Sequence, residues 1–127
     1  MKRLSLIIPM ASLVLALSAV SCGGANHFQD GVGYWKAEKY GKAIQEFNKA
    51  IQLNPDYFEP YIYRGWSYDE IGQYQNAIAD YNKVIQLNPD YVAFGYANRG
   101  ISYRNLGNIT QADADKSKAC SFDSKYC

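Results

Sequence analysis

Three cysteines and a single histidine stand out chemically in this chain of 127 residues. Cys22 lies near the start, Cys120 and Cys127 sit seven residues apart at the other end, and His27 has no second histidine to join. A thiol pair can form or exchange a disulfide, and a histidine can carry a proton or hold a metal. Neither C-x-x-C nor a paired metal-ligand spacing occurs, and no glycine-rich phosphate loop is present. A catalytic site needs a nucleophile, a base or a ligand cluster converging in one pocket. The sequence offers no such set, so the reading is of a non-enzyme with no catalytic residues, no metal and no cofactor.

The residues around Cys22 indicate how it is used. Met1-Lys2-Arg3 gives a basic start, Leu4 to Ala16 is almost wholly apolar, and small residues follow at Ser18, Ala19 and Ser21. That order reads as a bacterial secretory signal over residues 1–21. Its apolar run is shorter than the roughly 20 residues of a spanning helix, and Pro9 interrupts it. The run from Leu17 to Gly23 resembles a lipobox, in which the cysteine is lipidated and becomes the first residue of the mature protein. The resemblance implies lipidation at Cys22 and a lipid anchor holding the protein to a membrane of the bacterial cell envelope. Ala19 stands where a lipobox favours leucine, and Ala19-Val20-Ser21 would also serve an ordinary signal peptidase, releasing a soluble periplasmic protein. Cysteine parity supports the anchor, because using Cys22 leaves Cys120 and Cys127 as an even pair. Gly23 and Gly24 read as most of a short flexible linker, residues 22–25, ahead of one folded domain at 26–127.

That domain is repetitive. Leu53-Asn54-Pro55-Asp56-Tyr57 returns as Leu87-Asn88-Pro89-Asp90-Tyr91 and, degraded, as Phe122-Asp123-Ser124-Lys125-Tyr126, at offsets of 34 and 35. Gly31, Gly65 and Gly100 keep the same step, as do Tyr34, Tyr68 and Tyr103, and Ala43, Ala77 and Ala112. Apolar residues recur at helical spacing in Ala43, Ile44, Phe47, Ala50 and Ile51, and again in Ala77, Ile78, Tyr81, Val84 and Ile85. Small residues at fixed places let paired helices approach closely, and large aromatics fill the space beside them. Gly72 and Gly107 mark ends of first helices, while Pro55 and Pro89 follow second helices. Six helices are predicted at 26–37, 40–53, 58–71, 74–87, 93–106 and 109–122, with no strand. The 34-residue period resembles the tetratricopeptide repeat, a helix-turn-helix unit. The resemblance implies an all-α fold of three repeats, about 24–57, 58–91 and 92–126, stacked as a short right-handed α-solenoid.

The register also bears on the cysteine pair. Seven residues of unbroken helix would span about 10.5 Å, beyond disulfide reach. Cys120, however, aligns with Ile51 and Ile85 inside a second helix, and Cys127 aligns with Phe58 and Val92 beyond the turn. The chain should reverse between them, which permits a disulfide; two free thiols are the alternative. A related alternative is an accessory redox role for Cys120 and Cys127. His27 reads as a partly buried residue at the open end of the stack, and Asn108 as an N-cap rather than a glycosylation acceptor. The last helix carries Asp113, Asp115, Lys116 and Lys118, a wetter face suited to a terminal repeat, and dimerisation through an end of so short a stack is compatible with it.

A surface remains as the candidate site. The resemblance implies that positions three before, one after and four after the repeat glycine face a concave groove. These are Phe28, Val32 and Trp35, then Ile62, Trp66 and Asp69, then Ala97, Ile101 and Arg104. Two tryptophans on an apolar line suit anchors at a protein interface; the alternative is that part of the line packs inward. The clamp with which some members of the family grip a C-terminal carboxylate is not expected, because Val32, Trp66 and Ile101 replace the asparagines it needs. Basic and acidic residues nearly balance, 13 against 12, with no basic face to hold a nucleic acid. The expected partner is a protein or peptide segment of the cell envelope, bound by an adaptor or assembly factor.

Overall fold

The computed structural model describes the backbone of residues 10–127 and the side chains of residues 23–127. The signal read at 1–21 and the lipidation read at Cys22 lie outside the described side chains. Six helices run in order: α1 (Met10–Lys36), α2 (Tyr40–Leu53), α3 (Glu59–Glu70), α4 (Tyr74–Leu87), α5 (Val92–Asn105) and α6 (Ile109–Phe122). Single 3₁₀ turns at Pro89–Tyr91 and Ser124–Tyr126 follow α4 and α6, and no strand occurs among the described residues. Each helix packs on the next, so the pairs α1–α2, α3–α4 and α5–α6 stack as three hairpins. From α2 onward every boundary falls within one residue of the sequence expectation.

The start of α1 differs. It begins at Met10 rather than residue 26, and the expected flexible linker at 22–25 lies within it. Gly24 is buried, and a Cβ at Gly23 would lie 3.3 Å from Leu53 Cδ1. The two glycines therefore seat α1 closely against the end of α2, which is a packing role rather than a tether.

The turns show why the period holds. Between first and second helices the chain passes through a left-handed residue at Glu38 (φ 58°), Gly72 (φ 77°) and Gly107 (φ 83°). In each turn two amides close back on the helix, as when Gly72 N donates to Asp69 O at 3.0 Å and Gln73 N to Tyr68 O at 2.8 Å. This is the usual glycine helix stop, and Glu38 adopts it despite its side chain. Between repeats, Asn54, Asn88 and Asp123 accept a hydrogen bond from the amide two residues on. Asp123 thus performs the asparagine's task, so the degraded third motif still makes the same turn. Asn108 does stand at the N-cap of α6, but its side chain makes no capping hydrogen bond.

Close approach is concentrated at the repeat glycines. A Cβ at Gly65 would lie 2.8 Å from Tyr81 Cε1, and one at Gly31 would overlap the Phe47 ring. Phe47 and Tyr81 are wholly buried, with Ala43, Ala50, Ala77 and Val84 around them. Successive hairpins are then joined by arginines. Arg64 donates through Nε and Nη2 to the two oxygens of Asp80, at 2.8 and 2.6 Å, and through Nη1 to Asn48 of the preceding repeat at 2.7 Å. Arg99 does the same to Asp115 and Asn82. Both carboxylates are nearly buried, so the two-pronged pairing is what makes their charge tolerable there.

The glycine contact generates a prediction. Gly65→Ala should cost about 1–3 kcal/mol through overpacking against Tyr81. Gly33→Ala, on the same type of helix but with nothing within 4 Å, should gain about 0.5–1 kcal/mol. Thermal melts of the two variants should move in opposite directions; similar shifts would mean that the glycine contact does not set the helix spacing.

Candidate functional site

An open groove is walled by Trp35 from α1 and Trp66 from α3, floored by Asp69 and Glu70, and closed by Tyr74, Asn98, Ile101 and Asn105. Its volume is about 670 Å³. The indole rings lie 5.6 Å apart, and Tyr63 is wedged edge-on against both, at 5.4 and 5.1 Å. Phe94 meets Trp66 from the next repeat at 5.8 Å. Each tryptophan is half-buried, with one part of its ring in the stack and the rest facing the groove.

Polar groups behind this wall are largely paired. Trp66 Nε1 donates to Asn98 Oδ1 at 3.2 Å, and Asn98 Nδ2 donates to Phe94 O at 2.9 Å. The Tyr81 hydroxyl and the Ser102 hydroxyl donate to the two oxygens of Asp69, each at 2.7 Å. Burial pushes the Asp69 carboxyl above its ordinary range, although both hydroxyls pull against that, and the nearby Glu70 charge pushes the same way as burial. Burial likewise drives the Tyr81 hydroxyl upward, so Tyr81 remains a donor. The exception is Trp35, whose Nε1 is buried without a hydrogen-bond partner. Chemically the groove presents aromatic faces, carboxylates and amides. That combination suits a side chain with a cationic head and an apolar stem.

The structure divides the predicted residues. Trp35, Trp66, Asp69 and Ile101 line the groove, and Ile101 is 58% exposed. Phe28 and Ile62 do not line it and must be moved to the core, at 9% and 5% exposure. Phe28 lies one helical turn before Gly31 and shares its inward face, meeting Phe47, Tyr57 and Tyr63. Val32 is half-buried against that same cluster. Ala97 and Arg104, with Ile101, border a separate apolar hollow of about 280 Å³ beside α6 and Tyr126. Arg104 there donates to Asp113 at 2.8 Å. Glu70, Tyr74, Asn98 and Asn105 were missed. Glu70 and Asn105 end the first helices α3 and α5, Tyr74 opens the second helix α4, and Asn98 sits mid-way along α5, so no single position in the repeat marks them. Away from the groove, the structure joins Cys120 and Cys127 in a disulfide with Cα atoms 4.7 Å apart. His27 is half-buried and bonds Glu46 of α2 through Nδ1 at 2.6 Å.

Comparison with known proteins agrees with this architecture. Residues 58–91 match the tetratricopeptide repeat model, and residues 34–69 match a second model described as TPR repeat. Among solved structures, the first TPR of Spaghetti (RPAP3), bound to the HSP90 peptide SRMEEVD, superposes with a TM-score of 0.76 at 23% identity, covering 82% of each chain. The Arabidopsis OM64 TPR domain gives 0.77 at 22% identity, over 84% of this chain and 87% of that one. MamA gives 0.77 at 25% identity, over 84% of this chain and 57% of its own. No curated protein sequence matches the chain. Residues 34–91 thus match tetratricopeptide-repeat models, and the described residues share the six-helix, all-α fold of these solved TPR domains.

Asp69 offers a test of the groove floor. Its folded-state pKa lies above the ordinary value, so protonation favours the fold: its contribution is present at low pH and is lost as pH rises through the folded pKa. Asp69→Asn removes the charge and keeps an acceptor for Tyr81, while Ser102 can turn to Asn98 O, 3.3 Å away. The variant's melting temperature relative to the native chain should rise between pH 4 and pH 7. A gap that is constant across that range would contradict the assignment.

Proposed function

We propose that this protein is a non-catalytic interaction adaptor of the bacterial cell envelope, held to a membrane by lipid on Cys22. In this reading residues 1–21 are removed, and the groove between Trp35, Trp66, Asp69 and Glu70 takes an extended segment of a partner protein. The observation that carries the reading is the joining of two half-buried indoles to two carboxylates in one open groove. Tryptophan is favoured among side chains that dominate binding energy, and a cation over an indole face gains further from nearby carboxylates.

The charge of the occupant follows from the same residues. The peptide held by the Spaghetti domain, SRMEEVD, is acidic. Here Val32, Trp66 and Ile101 occupy the positions of the amide clamp, and the groove floor is acidic, so a carboxylate-rich tail would be repelled. The fitting segment carries a lysine or arginine beside a large apolar residue. The amino-terminal sequence supports the envelope part of the proposal through the basic start, the apolar run and the small residues before Cys22. No helix of the described residues is long and apolar enough to cross a membrane.

Selection from a random peptide library on the protein should enrich basic-plus-apolar motifs. Trp66→Ala and Glu70→Lys should each weaken a selected peptide by about 2 kcal/mol, with helicity retained. Enrichment of acidic C-terminal motifs, or affinities indifferent to both substitutions, would refute the groove reading. The anchor is checked separately. Full-length protein expressed in bacteria should carry acyl mass and sediment with membranes, and Cys22→Ser should lose both; unacylated protein in the soluble periplasmic fraction would remove the lipid from the proposal.

A further inference from the structure

The arginine clamps are repeated twice, and the first repeat departs from them at three positions together. Arg64 and Arg99 align with Asp30, while Asp80 and Asp115 align with Glu46. Tyr61 and Tyr96, whose rings lie under the guanidinium groups at 5.5 and 5.0 Å, align with His27. The first repeat has therefore kept the carboxylate, exchanged the cation for a second carboxylate, and exchanged the aromatic for an imidazole. A cation occupies this place in the other two repeats, and here the protein supplies ligands for one instead.

The geometry follows from the helix pair. His27 and Asp30 are three residues apart on one face of α1, and Glu46 reaches them from α2. One donor atom from each lies within 4.8 Å of the others. Glu46 divides its oxygens: Oε1 accepts from Lys49 at 2.7 Å, and Oε2 faces His27 Nδ1 at 2.6 Å. Asp30 makes no hydrogen bond or ion pair among the described residues, and it is exposed, free to turn inward. We propose that His27, Asp30 and Glu46 form a binding site for a divalent first-row transition cation, zinc being the natural probe, in the place of the missing arginine. One imidazole and two carboxylates form a nitrogen-oxygen donor set of the kind zinc accepts at about 2.0–2.2 Å, with water completing four-coordination. On binding, the metal takes the place of the hydrogen between His27 Nδ1 and Glu46 Oε2, and a neutral imidazole keeps its one N–H on Nε2. The ion would cross-link α1 to α2 in the first repeat, as arginine links α3 to α4 and α5 to α6. The site is separate from the groove and does not depend on it.

Calorimetric titration of zinc into the full-length chain in detergent tests this, with cobalt absorption as a second readout. The native chain should bind one equivalent and melt several degrees higher with zinc. His27→Gln and Asp30→Asn should each weaken the binding at least tenfold. Asp30→Arg should abolish it and raise the zinc-free melting temperature, because a guanidinium at that position can pair with Glu46. Absence of zinc binding by the native chain would overturn the proposal. So would binding that survives unchanged in His27→Gln and Asp30→Asn, since the metal would then sit elsewhere, such as on a thiol.

Discussion

The missing side chain at Gly65 is the constraint on which the groove depends. Because α3 has no Cβ there, the Tyr81 ring can lie across it, and at that depth the Tyr81 hydroxyl reaches Asp69 one turn further along. Asp69 in turn accepts from Ser102 of the next repeat, so a packing contact within one hairpin becomes a polar link to its neighbour. The order of these contacts matters. Without the close approach the hydroxyl would fall short, the carboxylate would be buried without its donors, and burying it would be costly. Hydrogen bonds here follow from packing, and the groove floor follows from both.

The other two repeats show the same logic with different residues. Tyr81 aligns with Phe47 and Lys116, and Asp69 aligns with Trp35 and Arg104. Where the second helix offers a hydroxyl, the first helix has a carboxylate to receive it. Where it offers only a Phe47 ring, the matching position holds the Trp35 indole, which packs by area and leaves its own Nε1 unpaired. In the third repeat neither partner is buried: Lys116 and Arg104 are exposed and border the hollow beside α6. Chemical variety is thus concentrated at positions that a repeat can alter without disturbing the glycine contact.

Much of the fold was legible because its determinants are local and repeated. The 34-residue period placed five helices to within one residue, since alanine and aromatic spacing, glycine stops and the asparagine turns all mark the same boundaries. The family models match only residues 34–91, yet the third hairpin forms, because Asp123 replaces asparagine by function rather than by identity. The site was less legible. Phe28 and Ile62 were assigned outward, although a residue three before a contact glycine shares its inward face. The arginine clamps were missed for a different reason: Arg64 meets Asp80 across 16 residues and Asn48 across 16 in the other direction, so no short motif announces them. The His27–Glu46 contact, 19 residues apart, escaped in the same way. The linker at Gly23 and Gly24 was misread because glycine is used both where a chain must bend and where two helices must touch.

The central claim is that a partner segment occupies the tryptophan-walled groove, and the chain carries its own reporters for it. Trp35 and Trp66 are its only two tryptophans, and both line that groove. Acrylamide quenching of intrinsic fluorescence, measured with and without a bound basic-apolar peptide, therefore reads the site directly. The account predicts that saturating peptide shields the indoles and lowers the quenching constant. A peptide that binds with full affinity while quenching stays unchanged would place the partner elsewhere on the stack and contradict the account.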